Sequence, residues 1–98
     1  MAPSAPQLSD PASIARRAKV FKALSDPCRV RIVEMLMKKK EMCGMELAEA
    51  LGVSVALLSH HGKVLEAAGI ISKRKEGPHA FCFLNRELLA ETFRGFVE

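Results

Sequence analysis

Three cysteines, three histidines and a cluster of lysine and arginine are the chemically capable side chains of this sequence. Cys28, Cys43 and Cys82 form no CxxC pair, and their odd number does not make a secreted disulfide framework. Reduced thiols in a cytoplasmic protein are expected instead. Three thiolates would suit As(III) or another soft metal in ligand type, but the sequence does not show that they converge. Cys28 and Cys43 each fall at the start of an expected helix, where the positive end of the dipole favours a thiolate. Both are therefore candidates for redox or sulfur chemistry. Cys82 alternates with Phe81 and Phe83 and faces away from both. Each thiol could equally be a small buried hydrophobe. His60 and His61 are adjacent, about 100° apart on a helix, and do not share one ion. No nucleophile–base pair, phosphate loop or paired carboxylate stands out, so an enzyme is not expected.

The basic residues point elsewhere. Lys63, Lys73, Arg74 and Lys75, with all three histidines, lie between Gly52 and Leu84, where the only acids are Glu66 and Glu76. That local excess favours phosphate, as does a net charge of +4 with a pI near 9.2. With no Trp or Tyr, the chain lacks the aromatic surface of a base-stacking single-strand binder.

Helices and one hairpin must position these residues. Residues 1–8 read as a flexible N-terminal arm, and residues 9–98 as one folded domain. Asp10-Pro11 and Asp26-Pro27 each pair a capping side chain with proline in the first turn. The first helix carries Ile14, Ala18, Phe21 and Leu24 as its apolar stripe, with Val20 close by, and the second carries Val30, Val33, Leu36 and Met37, widened by Ile32 and Met35. A short helix spans roughly Gly44 to Leu51 and is stopped by Gly52, and Ser54 then caps another that runs to about Ala68. That is a helix-turn-helix. Ile70–Lys75 and Ala80–Leu84 read as two strands about a Gly77-Pro78 turn, and Asn85 caps a last helix. With 49% apolar and 27% charged residues the chain is globular. It has no membrane-length apolar run, and Met1 to Asp10 do not read as a secretory signal. The expected fold is mainly α, about five helices with a two-stranded wing: a winged helix-turn-helix.

With Ser54 at the N-cap, Val55, Ala56, Ser59, His60 and Lys63 share one side of their helix, and Leu58, His61 and Leu65 face the core. An α-helix fits the major groove of duplex DNA. Ser59 and His60 can bond to base edges or phosphates, Val55 and Ala56 can touch thymine methyls, and Lys63 suits phosphate. Lys73, Arg74, Lys75 and His79 would serve the wing.

Lys22-Ala23-Leu24-Ser25-Asp26-Pro27-Cys28-Arg29-Val30-Arg31-Ile32 resembles the opening signature of the ArsR family of winged-helix repressors. Glu46-Leu47-Ala48, Leu51-Gly52-Val53-Ser54, Leu58-Ser59-His60-His61, Lys63-Val64-Leu65 and Arg74-Lys75-Glu76-Gly77 continue the likeness in order, over about residues 14 to 96. The resemblance implies a homodimer that binds an inverted repeat of double-stranded operator DNA and leaves it when an inducer arrives. It also implies a metal motif at the third helix, of which only Cys43 and Glu46 are present, with Met45 in place of a second thiolate. These two are weak metal candidates, and no Cys or His precedes Cys28 to complete the set. The family usually has threonine at Cys28 and leucine at Gly62. Ile14–Leu24 and Leu88–Phe96 would form the dimer surface. Sensing stays open between thiol redox or sulfur chemistry, a metalloid or soft metal, and no cysteine role. A second class is a winged-helix module that binds another protein without specific DNA binding.

Overall fold

The computed structural model describes residues 5–97. The expected arm lies partly outside them, and residues 5–10 carry no regular structure. The elements follow as α1 (Pro11–Ala23), α2 (Pro27–Lys38), β1 (Met42–Cys43), α3 (Gly44–Leu51), α4 (Val55–Ala67), β2 (Ile71–Glu76), β3 (His79–Leu84) and α5 (Arg86–Val97).

Both Asp-Pro starts operate as caps. Asp10 accepts from the Ser13 backbone N–H at 3.2 Å, and Asp26 accepts from those of Cys28 at 2.8 Å and Arg29 at 3.2 Å. Gly52 closes α3 at φ +66°, a left-handed conformation that glycine adopts without strain. Gly77 takes φ +58° at the first position of the two-residue hairpin turn, where the chain twist demands a positive φ.

The sheet differs from expectation. It has three antiparallel strands in the order β1-β3-β2, because Met42 pairs with Cys82 and Cys43 with Phe81. A two-residue strand has no period to read, so sequence pattern alone gave only the hairpin. Its effect is large: Met42 is buried, and β1 ties the base of the wing to the start of α3.

Val20, Ile32, Leu36, Leu47, Leu65 and Ile70 are the largest fully buried side chains, each worth about 1.5–3 kcal/mol of burial. The two long apolar stripes divide between the core and the surface. On α1 the core takes Val20 and Ala23, whereas Ile14, Ala18 and Phe21 face outward. On α2 it takes Ile32 and Leu36, and Val30 and Met37 lie outside. A stripe read along one helix does not distinguish a core from a second apolar surface.

Candidate nucleic-acid interface

Helix α4 presents Val55, Ala56, Ser59, His60 and Lys63 to solvent, with Leu58, His61, Gly62 and Leu65 buried behind them. Leu57, which the helical pattern did not single out, is also exposed. Ser54 caps the helix by accepting the Leu57 backbone N–H at 3.0 Å. Its hydroxyl proton stays available to an outside acceptor. The outer face thus combines small apolar groups, a hydroxyl, an imidazole and an ammonium on a helix that a major groove can admit.

The wing is less basic than its sequence. Both terminal nitrogens of the Arg74 guanidinium, Nη1 and Nη2, lie 2.9 Å from the Glu41 carboxylate, and Nη2 also reaches Glu76 at 3.1 Å. These carboxylates drive the Arg74 pKa up, and the Arg74 guanidinium in turn holds Glu41 below its ordinary value. Arg74 also sits over the Phe81 ring. It is built as a staple between the wing and the residue before β1. Lys73 lies opposite the buried Cys82, extends across Gly62 and meets Glu66 at 3.9 Å. Among the described residues Lys63 and Lys75 have no carboxylate within 4.0 Å. Both are exposed, as is His79 at the wing's return. Glu41 carried no sequence signal, because it stands 33 residues from Arg74.

A buried polar joint fixes α4 from behind. His61 Nδ1 is 3.1 Å from Arg29 Nη1 and 4.0 Å from Asp26 Oδ1. Arginine can only donate, so the shorter contact makes Nδ1 the acceptor and leaves the ring proton on Nε2. Arg29 Nε also donates to the Ala23 carbonyl at 2.6 Å. One side chain therefore connects the end of α1, the start of α2 and the middle of α4. Asp26 is held below the ordinary carboxylate value by the backbone N–H of Arg29 first, then that of Cys28.

The thiols do not gather. All three are free. Cys28 sits in the first turn of α2, and Cys43 is the N-cap of α3. In the strand register Cys82 pairs with Met42 and Cys43 with Phe81. Among the described residues no three side chains of His, Cys, Asp and Glu converge as a metal group. The three-thiolate arrangement that would suit As(III) is not assembled. Glu46, the weak ligand candidate beside Cys43, accepts instead from the Cys43 backbone N–H at 3.2 Å, which lowers its pKa. Burial pushes the Cys82 thiol up, which disfavours its thiolate. Cys28 and Cys43 are half-buried.

A second surface lies away from α4. Phe21 makes edge contacts with Phe93 at 5.5 Å and Phe96 at 5.7 Å, and Arg17 stacks over Phe96 while donating to the Thr92 carbonyl. With Ile14, these rings leave an apolar face on α1 and α5, where Phe96 is 66% exposed. Among the described residues no helix is long and apolar enough to cross a membrane.

The sequence profile of the bacterial regulatory protein arsR family matches residues 26–73. A cadmium resistance transcriptional regulatory protein CadC homolog of Staphylococcus aureus is 43% identical over 70 residues. The match covers 71% of this chain but only 58% of that relative's length. The transcriptional repressor SdpR of Bacillus subtilis is 36% identical over 73 residues, 74% of this chain and 80% of that protein. Among solved structures, the homodimeric winged helix-turn-helix DNA-binding domain of a possible ArsR-family regulator from Mycobacterium bovis superposes with a TM-score of 0.76 at 26% identity. It covers 85% of this chain and 76% of its own.

Proposed function

Because the chain belongs to the arsR family of bacterial regulatory proteins, we propose that it is a homodimeric repressor of transcription that binds an inverted-repeat operator in the cytoplasm and leaves it on meeting an inducer. The observation that carries this reading is the exposed face of α4 beside the wing. Ser54, Val55, Ala56, Ser59, His60 and Lys63 would enter the major groove, and Lys75 and His79 would reach the flanking backbone. Arg74 holds the wing to Glu41 and so acts on DNA through position. Lys73 stands between these roles. The aromatic face of α1 and α5 supports a second copy of the chain as partner, with two α4 helices addressing half-sites about 10 bp apart. Release would follow the inducer's preference for a weak-binding dimer geometry. If a thiol carries the signal, the exposure of the half-buried Cys28 and Cys43 favours them over buried Cys82.

Fluorescence anisotropy on duplex from the region upstream of the gene tests this. Specific binding should exceed non-specific binding by about 10³ or more and weaken steeply with salt. Phe93→Glu should shift the protein to monomer in sedimentation and abolish tight binding. Weak, sequence-blind binding by a stable dimer would refute the reading and favour a module that binds another protein. Repeating the titration after mild oxidation, then reductant, separates thiol sensing from other inducers.

A further inference from the structure

A cleft of about 230 Å³ opens between α3, α4 and the wing. Its lining includes Ile32, Leu47, Leu58, Ile71 and Cys82, all buried apolar side chains. Two glycines leave the space open. A Cβ on Gly62 would stand 3.4 Å from Lys73 Nζ, and one on Gly44 would stand 3.8 Å from Leu58 Cδ2. Among the described residues the ionisable groups on the lining besides thiols are Lys73 and His79, and no carboxylate lines it. Glu66, the acid that meets Lys73, does so at 3.9 Å from outside the cleft, and the Lys73 side chain is only 29% exposed.

We propose that this cleft binds a small apolar monocarboxylate, its ring or short branched chain against the buried apolar wall and its carboxylate on Lys73 Nζ. The volume fits: an apolar cavity of about 150 Å³ takes benzene, so this cleft takes one ring with a carboxylate. The charge fits as well. The ligand would replace a long, partly solvated contact to Glu66 with a direct charge-assisted hydrogen bond in a half-buried setting. A consequence for regulation rests on the DNA-binding reading above. The cleft has α4 as one wall and the wing's Pro78, His79 and Ala80 as the other. A bound carboxylate both neutralises Lys73 and sets the separation of the two elements that would touch DNA. Occupancy therefore weakens DNA binding.

Calorimetry and thermal unfolding of the intact chain without DNA test the cleft, with benzoate as the probe, benzyl alcohol as its neutral counterpart and inorganic phosphate as an anion without a ring. Benzoate should bind once per chain and raise Tm by roughly 5–10 °C at ten times its Kd. Benzyl alcohol should bind at least tenfold more weakly. Lys73→Met should bring the two probes level, and Gly62→Leu, whose side chain fills the cleft, should abolish both. Should Gly62→Leu fail to unfold cooperatively, Lys73→Met decides alone. The proposal is overturned if benzoate does not bind, if benzyl alcohol binds as well, or if phosphate gives the same stabilisation. Retained binding in Gly62→Leu would also overturn it, by placing the site elsewhere. Anisotropy then tests the coupling: saturating benzoate should weaken duplex binding several-fold in the wild type and leave the Gly62→Leu ratio at one. A chain that takes benzoate but no specific duplex sinks the repressor reading and leaves the cleft standing.

Discussion

Gly62→Ala is expected to stabilise the chain, even though the position is buried in α4. Gly62 has none of the positive φ seen at Gly52, Gly69 and Gly77, so alanine can adopt its backbone conformation without strain. Glycine inside a helix costs about 0.8–1.0 kcal/mol relative to alanine. A methyl placed against the cleft adds at most about 0.8 kcal/mol of burial. Against these stands the contact with Lys73, whose Nζ would be 3.4 Å and Cε 3.6 Å from the new Cβ. Those atoms are the far end of a flexible side chain. Its partner Glu66 is half exposed, so losing that pair costs about 0.5 kcal/mol or less. The net gain is about 1 kcal/mol, which in a domain of this size raises Tm by about 4–8 °C. Urea unfolding at fixed protein concentration should show a higher midpoint with an unchanged slope. A midpoint lowered by a comparable amount would refute the reasoning, because it would mean that the Lys73 ammonium is held rigidly and cannot yield a few tenths of an ångström.

The remaining expectations concern charge and thiol chemistry. Lys63→Ala should weaken duplex binding evenly across sequences and reduce the salt slope by about one, whereas Arg74→Ala should weaken binding with the slope unchanged, since its guanidinium is already matched by Glu41 and Glu76. Equal slope changes in the two variants would put Arg74 on phosphate. Asp26 has a folded-state pKa below its ordinary 3.8, so its contribution is complete above that value and is lost as pH falls through the lower folded-state one. The difference in unfolding midpoint between wild type and Asp26→Asn should therefore shrink on acidification below 3.8, and a pH-independent difference would contradict this assignment. Iodoacetamide at neutral pH should modify Cys28 and Cys43 in the native protein faster than Cys82, read by peptide mass; labelling of Cys82 at an equal rate would remove burial as the cause of its raised pKa.

What the sequence disclosed was local chemistry. Asp26-Pro27, Ser54 and Gly52 announce helix ends because a cap acts within three residues, and the inward and outward faces of α4 follow from that one cap and a period of 3.6. What it withheld was pairing across distance. The strand Met42–Cys43 exists only through a partner some forty residues on, and Arg74 finds Glu41 from 33 residues away. The α1 stripe is too wide for so small a domain to hide, which marks Ile14 and Phe21 as outward-facing, whereas period alone does not separate an outer apolar row from a core row. The charge pattern is the sharpest case. Between Gly52 and Leu84 the two acids do not merely lower the average charge: Glu66 meets Lys73 and Glu76 meets Arg74, with Glu41 added from outside the segment. The positive excess that favours phosphate is thereby narrowed to Lys63 on α4 and Lys75 on the wing, one cation on each element that would touch DNA. Arg74 meanwhile ties the wing to Glu41, and Lys73 reaches over Gly62 toward Glu66.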